Sequence, residues 1–125
     1  MILNFGHTFG HAFEATANFS NKINHGEAVL LGMLCAAEFA FRNKILKNKD
    51  LNLIKEHYST LNLPSKLNNY FIKKDVKKII QFMKYDKKNY DSKIKLILIS
   101  KIGQSLKPRT LNDFVLQNYL NSKLY

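Results

Sequence analysis

Three of the four histidines lie close together early in the chain, in a stretch that is otherwise small and apolar. His7 and His11 are four residues apart, which places them on one face of a helix, and Glu14 follows about one turn later on that face. His25 comes next, near the start of the following predicted helix, with Glu27 beside it. Histidine is the commonest metal ligand and carries protons near neutral pH, so these residues predict a metal site or a proton-transfer site.

The spacing of the histidines leaves their roles open. Catalytic zinc takes three protein ligands plus water, which suits three neighbouring histidines. Spacing alone favours His7 and His11 as the ligand pair, but a split between one metal ligand and one proton carrier also fits. The remaining alternative is a set of helix-cap or core histidines. That alternative suits a single histidine better than three accompanied by two glycines and Glu27.

Helical periodicity predicts a mainly α fold. The expected helices, in chain order, are residues 5–18, residues 26–43, a third helix capped by Asp50, residues 73–85, and residues 111–120 capped by Thr110. The second of these is apolar nearly all round, which predicts the buried central helix. The fourth has one apolar stripe (Val76, Ile79, Ile80 and Met83) and a lysine face expected to be solvated (positions 73, 74, 77 and 78). Gly6 and Gly10 each weaken the first helix, so we expect a ligand or another backbone to approach closely there.

One β-hairpin completes the predicted architecture. Residues 93–100 become rich in β-branched and leucine side chains, and a turn at Gly103 leads to a short partner strand at residues 105–107. No glycine-rich phosphate loop and no strand–turn–helix unit for a dinucleotide is recognisable in the sequence. The length allows a single domain over residues 1–125, and we expect no cofactor-binding residues within it.

Composition restricts the function classes. The chain has 20 Lys and Arg against 9 Asp and Glu, giving a net charge of +11. The positive charge is almost all lysine and is spread along the chain, which argues against a nucleic-acid-binding face but favours an anionic small substrate. The single cysteine, Cys35, is expected to be a buried hydrophobe. We expect a cytoplasmic protein without a membrane partner, because the apolar run 28–37 is too short to span a bilayer and no secretory signal is recognisable.

The early motif resembles that of the 3-dehydroquinate synthases, within the sugar-phosphate cyclase superfamily. The resemblance rests on Leu3-Asn4-Phe5-Gly6-His7-Thr8-Phe9-Gly10-His11-Ala12-Phe13-Glu14, on His25-Gly26-Glu27-Ala28-Val29, and on Gly32-Met33. Asp86-Lys87-Lys88, a following strand and Ile102-Gly103 extend it over the whole chain. Members of this family are about three times as long, so the resemblance implies the later part of a helical C-terminal domain. The Rossmann-like NAD domain would lie outside this chain.

The resemblance implies a role for each candidate residue. His7 and His25 would bind a divalent metal, Zn²⁺ or another such as Co²⁺, together with an upstream glutamate that this chain does not contain. His11 would bind substrate and handle protons, which replaces the pairing suggested by spacing. The resemblance further implies Asn4 and either Lys87 or Lys88 as substrate contacts. Glu14 and Glu27 are candidate supports by their positions alone: Glu14 shares the histidine face and would orient His11 or His7. A purely structural role fits each of the two equally well, and for Glu27 the start of a helix favours a carboxylate in any case.

The implied reaction converts 3-deoxy-D-arabino-heptulosonate 7-phosphate into 3-dehydroquinate and phosphate, in the shikimate pathway. It needs NAD, which the missing N-terminal domain would bind, so the chain alone is expected to be inactive. The implied partners are an anionic sugar phosphate, the NAD-binding domain and a second copy in a homodimer. Two alternatives remain: another sugar-phosphate cyclase of the same superfamily, or a basic helical binding module without catalysis.

Overall fold

The computed structural model describes residues 6–17, 22–85, 94–96, 99–101, 104–105, 109–111 and 113–124. Its helices are α1 (His7–Thr16), α2 (His25–Arg42), α3 (Asn48–Thr60), α4 (Val76–Tyr85) and α5 (Asp113–Lys123). Two short 3₁₀ turns, Leu67–Asn69 and Lys73–Asp75, connect α3 to α4. The predicted mainly helical fold is confirmed.

Helix α2 is the central element, as its apolar sequence predicted. Its buried side chains include Leu31, Cys35 and Phe39, and Phe9 and Phe13 of α1 are also fully buried in the same core. Asn24 caps α2: its side chain accepts a hydrogen bond from the Glu27 backbone N–H, and the Glu27 carboxylate accepts one from the Asn24 N–H. This reciprocal arrangement satisfies backbone donors that a helix start would otherwise leave unpaired.

Helices α1 and α2 approach each other backbone to backbone. A Cβ atom on Gly10 would lie 3.2 Å from the Ala28 carbonyl oxygen, and one on Gly32 would lie 2.6 Å from the Gly6 carbonyl oxygen. Gly6 also has a φ of 80°, in the left-handed region that favours glycine. The predicted close approach at Gly6 and Gly10 is confirmed, and the approaching group is the backbone of α2.

Helices α4 and α5 close the core from the other side. The predicted apolar stripe of α4 is confirmed, since all four of its members are buried: Val76, Ile79, Ile80 and Met83. From α5, Leu116 and Leu120 are fully buried. The Tyr119 hydroxyl donates to the Glu38 carboxylate at 2.8 Å, and Lys123 Nζ lies 3.1 Å from the same carboxylate. This polar pair of contacts attaches α5 to α2.

The predicted single hairpin of residues 93–100 with residues 105–107 is not seen. Among the described residues, four short strands form two antiparallel pairs: β1 (Ile94–Leu96) with β4 (Arg109–Leu111), and β2 (Ile99–Lys101) with β3 (Gln104–Ser105). Thr110 lies within β4, so its predicted role as the cap of the last helix is wrong, and α5 begins at Asp113. Thr110 pairs with Lys95 of β1, so it belongs to a strand pair and not to the start of a helix.

A second correction concerns α3. Lys47 occupies the N-cap position of this helix, and Asp50 lies buried inside its first turn. The carboxylate still lies where the helix dipole favours negative charge. Within the part of the chain that the structure describes, no helix is both long enough and apolar enough to cross a membrane.

Candidate metal and substrate site

The two histidines of α1 lie side by side. His7 is the first residue of the helix and His11 comes one turn later, so both project from one face, with ring centroids 5.3 Å apart and a tilt of 31° between the rings. His7 is half-buried and His11 is exposed. The geometry predicted from their spacing is confirmed, whereas their division of labour stays a prediction.

Glu14 connects α1 to the third histidine. Its Oε1 atom lies 2.9 Å from Nδ1 of His25, the first residue of α2. The sequence suggested His11 or His7 as the partner of Glu14, and the structure gives it His25 instead. The reason is tertiary: the glycine contact brings the start of α2 beside α1, so a side chain eleven residues away comes within reach.

The contact between Glu14 and His25 fixes which nitrogen of the imidazole can bind a metal. An ionised carboxylate only accepts hydrogen bonds, so Nδ1 of His25 carries the proton and donates it to Glu14. The lone pair of the neutral ring is then on Nε2. Metal-binding histidines commonly donate their second ring nitrogen to a carboxylate in this way. The His25 side chain is 72% exposed and that of Glu14 is 17% exposed. The imidazole therefore lies at the surface, and the carboxylate that holds it is largely buried.

Glu27 lies two residues after His25, and its carboxylate has two partners among the described residues. Its Oε1 atom accepts the Asn24 N–H at 2.9 Å, and its Oε2 atom accepts the Tyr70 hydroxyl at 2.8 Å. The Asn24 N–H bond and then the Tyr70 bond lower the pKa of Glu27. Burial, followed by the neighbouring Glu27, raises the pKa of Tyr70. Glu27 is therefore held as a carboxylate at the start of α2.

The donor set fits a divalent metal, although it is incomplete. His7 and His25 offer imidazole nitrogens, which suit zinc and cobalt, and the carboxylate behind His25 is the usual support for such a ligand. A catalytic zinc normally has three protein ligands. Among the residues that the structure describes, no group of three histidine, cysteine, aspartate or glutamate side chains is placed to hold a metal ion. A metal held by His7 and His25 would therefore need a third ligand beyond these residues.

Three predicted substrate residues lie outside the described residues: Asn4, Lys87 and Lys88. Their roles stay predictions. The other lysines that were expected to be a solvated face, at positions 73, 74, 77 and 78, are all exposed. Cys35 is buried as predicted, and burial raises the pKa of its thiol to about 12.

Two cavities of the described residues lie away from the histidines. One of about 390 Å³ is lined by Glu38, Lys55 and Tyr58 among others, and one of about 470 Å³ by Met33, Ile54 and His57 among others. Neither is lined by His7, His11 or His25.

Sequence reasoning missed Tyr70 as a partner of the site. It follows an irregular 3₁₀ turn, where no periodicity marks a functional side chain, and its partner Glu27 is 43 residues away along the chain. The partnership of Glu27 with Asn24 had a recognisable signal. Asn24-His25-Gly26-Glu27 has the spacing of a capping box, in which a polar residue is followed three positions later by glutamate.

Comparison with known proteins gives consistent matches. Residues 1–89 match the family described as 3-dehydroquinate synthase C-terminal. A 3-dehydroquinate synthase of Pelagibacter ubique is 48% identical over 123 residues, covering 98% of this chain and 33% of that protein. The corresponding protein of Zymomonas mobilis is 34% identical, covering 98% of this chain and 32% of its own length. The chain thus spans about a third of the curated relatives it matches.

The fold is also similar to a solved structure. A crystal structure of 2-deoxy-scyllo-inosose synthase, complexed with carbaglucose-6-phosphate, NAD⁺ and Co²⁺, superimposes with a TM-score of 0.73 at 27% sequence identity. The match covers 98% of this chain and 34% of that one.

Proposed function

Since this chain belongs to the 3-dehydroquinate synthase family, we propose that it forms the metal- and substrate-binding part of an enzyme that eliminates phosphate from 3-deoxy-D-arabino-heptulosonate 7-phosphate and closes the ring of 3-dehydroquinate. This reaction is a step of the shikimate pathway. The observation that carries the proposal is the contact between Glu14 and His25, made from the helix that carries His7 and His11. It supports a role for His25 together with the histidines of α1.

His7 and His25 are the residues that would hold Zn²⁺ or Co²⁺, with a third ligand from outside this chain. When bound, the metal would act as a Lewis acid on the substrate hydroxyl and carbonyl oxygens. Glu14 holds the His25 ring with Nδ1 protonated, which leaves Nε2 as the donor atom. The carboxylate also makes that imidazole a better ligand, since it stabilises the positive charge that coordination places on the ring.

His11 is the proposed proton carrier. It is exposed on the same helix face as His7, where a substrate bound over the metal would lie within reach of its ring. An imidazole nitrogen can accept a proton in one step and return it in another. Asn4 and one of Lys87 and Lys88 would bind the anionic substrate, to which the net charge of +11 is suited.

The rest of the enzyme would supply the redox chemistry. NAD⁺ held by that part would supply the oxidation of one substrate hydroxyl, which would make the neighbouring C–H acidic, and the matching reduction after phosphate has left. The NAD-binding part is expected in the two thirds of the relatives that this chain does not cover. A single partial domain and a homodimeric enzyme stay predictions from the family resemblance, and a cytoplasmic location stays a prediction from the sequence.

A second candidate function is another sugar-phosphate cyclisation. The similarity to 2-deoxy-scyllo-inosose synthase favours it, since that enzyme carries a sugar-phosphate analogue with NAD⁺ and Co²⁺ in its crystal structure. The two candidates share the metal and the proton carrier and differ in the substrate. Phosphate release from each of the two sugar phosphates by the reassembled enzyme would separate them.

Metal binding by three single variants tests the proposal. We expect the chain to bind Co²⁺ weakly. Binding should be lost in His7→Ala and in His25→Ala, because each substitution leaves the metal with a single ligand from this chain. His11→Ala should retain most of the affinity. Isothermal titration of the three variants measures this. If His11→Ala abolishes binding while His25→Ala does not, the proposed assignment of ligands is wrong.

A further inference from the structure

The segment of residues 70–75 contacts both helices that carry the histidines. On the α1 side, the Phe71 ring packs on the Phe13 ring with centroids 5.5 Å apart, and Phe13 precedes Glu14. On the α2 side, the Tyr70 hydroxyl donates to Oε2 of Glu27 at 2.8 Å. The segment therefore connects α1, which carries Glu14, with the start of α2, which carries His25.

A second set of contacts holds the chain ahead of α2 to the same segment. Lys22 Nζ lies 3.9 Å from Oδ2 of Asp75 and 5.0 Å from the centroid of the Phe71 ring. Asp75 is itself fixed, because its carboxylate accepts the Ile72 N–H at 2.9 Å. The start of α2 thus has one tether before His25 and one after it.

His25 depends on such tethers because its own side chain has little packing. With 72% of that side chain exposed, the ring is located by its contact with Glu14 and by the backbone at the start of α2. Glu27 fixes that backbone through the Asn24 N–H, the residue before His25. Its other oxygen is bound to Tyr70, which packs against the core between the buried Leu67 and Phe71.

We propose that Tyr70 is a positioning residue for His25, acting through the Glu27 carboxylate on the backbone at Asn24. Its consequence for metal binding rests on the proposed function, in which His25 is a ligand. Tyr70 does not touch the imidazole. Its hydroxyl ties the carboxylate that caps α2 to the core, and so fixes the direction from which His25 meets Glu14.

The test compares two tyrosine-to-phenylalanine variants. Tyr70→Phe removes only the hydroxyl that binds Glu27. Tyr58→Phe is the matched control, because the Tyr58 hydroxyl also donates to α2, at the Leu30 carbonyl, one turn and more beyond His25. Long-range ¹H–¹⁵N NMR of the imidazoles reports the tautomer of His25 without metal, and titration with Co²⁺ alone reports the affinity.

In the wild-type chain we expect the Nδ1-protonated tautomer of His25, and in Tyr70→Phe a mixture of both tautomers. Outer-shell substitutions typically cost 10- to 100-fold in metal affinity, and Tyr70 is one contact further out, so Co²⁺ binding should weaken about 3- to 10-fold. Tyr58→Phe should change neither quantity. The proposal is overturned if Tyr70→Phe keeps the wild-type tautomer and affinity, or if Tyr58→Phe changes both equally. A tautomer shift in a chain that binds no Co²⁺ at all would support the role of Tyr70 and contradict the metal function.

Discussion

Gly32 of α2 lies so close to Gly10 of α1 that a Cβ atom on Gly32 would sit 2.8 Å from the Gly10 backbone nitrogen. This contact sets the distance between the helix that carries His7 and His11 and the helix that begins with His25. The atoms opposite Gly32 are backbone atoms, including the Gly6 carbonyl oxygen at 2.6 Å, and backbone cannot rotate out of the way. The geometry of the candidate site is therefore built on a packing contact that lies beneath it.

The first prediction is that Gly32→Ala destabilises the fold. The added methyl group must separate α1 from α2, and overpacking of this kind costs about 2 to 3 kcal/mol of unfolding free energy. Gly26→Ala is the matched control, since its Cβ would meet only the Asn24 side chain, at an ordinary 3.5 Å. Because alanine favours helix over glycine, Gly26→Ala should be neutral or stabilising by up to about 1 kcal/mol. Urea denaturation measures both, and equal stabilities would contradict the prediction.

The second prediction concerns Glu14. Glu14→Gln keeps the shape of the side chain but removes the negative charge behind His25, so the imidazole becomes a poorer and less oriented ligand. We expect Co²⁺ affinity to fall about 10-fold or more, in the range typical of outer-shell substitutions. Glu56→Gln, an exposed residue of α3, is the charge-matched control and should bind like wild type. Calorimetric titration decides it. An unchanged affinity in Glu14→Gln would separate Glu14 from metal binding.

The limits of sequence reasoning are visible in these residues. Local patterns predicted the helices, the buried stripe of α4, the shared face of His7 and His11, and the need for glycine at positions 6 and 10. They failed where a long-range contact decides the outcome. Glu14 is close in sequence to His11, yet it pairs with His25 because the glycine contact brings α2 beside it.

The predictions of a helix cap and of a hydrogen-bond partner failed for related reasons. A threonine before a helical pattern is a good cap, but Thr110 takes part in strand pairing with Lys95, a partner that local sequence does not reveal. Tyr70 lies in an irregular segment, where side-chain direction follows no period. The candidate site was thus predictable in its residue types and its first helix. Its connections across the fold were not.

The third prediction is a loss of stability at alkaline pH that depends on Cys35. Burial raises the pKa of its thiol from 9.0 to about 12. Between those values the unfolded chain has lost the proton that the folded chain retains, so stability present below pH 9 declines as pH rises. One such group contributes a slope of about 1.4 kcal/mol per pH unit.

Tyrosine burial adds to the decline at higher pH. Burial also raises the pKa of Tyr58, from 10.0 to about 12, so its contribution begins about one pH unit later than that of Cys35. In Cys35→Ala the decline between pH 9 and 10 should therefore disappear, while the decline above pH 10 remains. Urea denaturation over this pH range measures the difference. The same slope in both proteins between pH 9 and 10 would show that the thiol is not the group responsible.

The last prediction concerns activity and the anionic end of the substrate. The chain alone should release no phosphate from its proposed substrate, even with NAD⁺ and metal added, because the oxidation that acidifies the C–H needs the part of the enzyme this chain does not cover. Adding that part as a separate polypeptide should restore turnover.

In the restored enzyme, Lys87→Ala should lower kcat/KM by about 10- to 100-fold, which corresponds to the loss of one charged hydrogen bond to phosphate. KM should rise because the lysine binds the phosphate in the ground state, and kcat should fall as well because that interaction strengthens as negative charge develops on the leaving phosphate in the transition state. Lys88→Ala distinguishes which of the two lysines binds phosphate, and Lys77→Ala, on the exposed face of α4, controls for the loss of charge alone. Equal effects of all three substitutions would mean that the general positive field binds the substrate, and turnover by the chain alone would contradict the proposed division of labour.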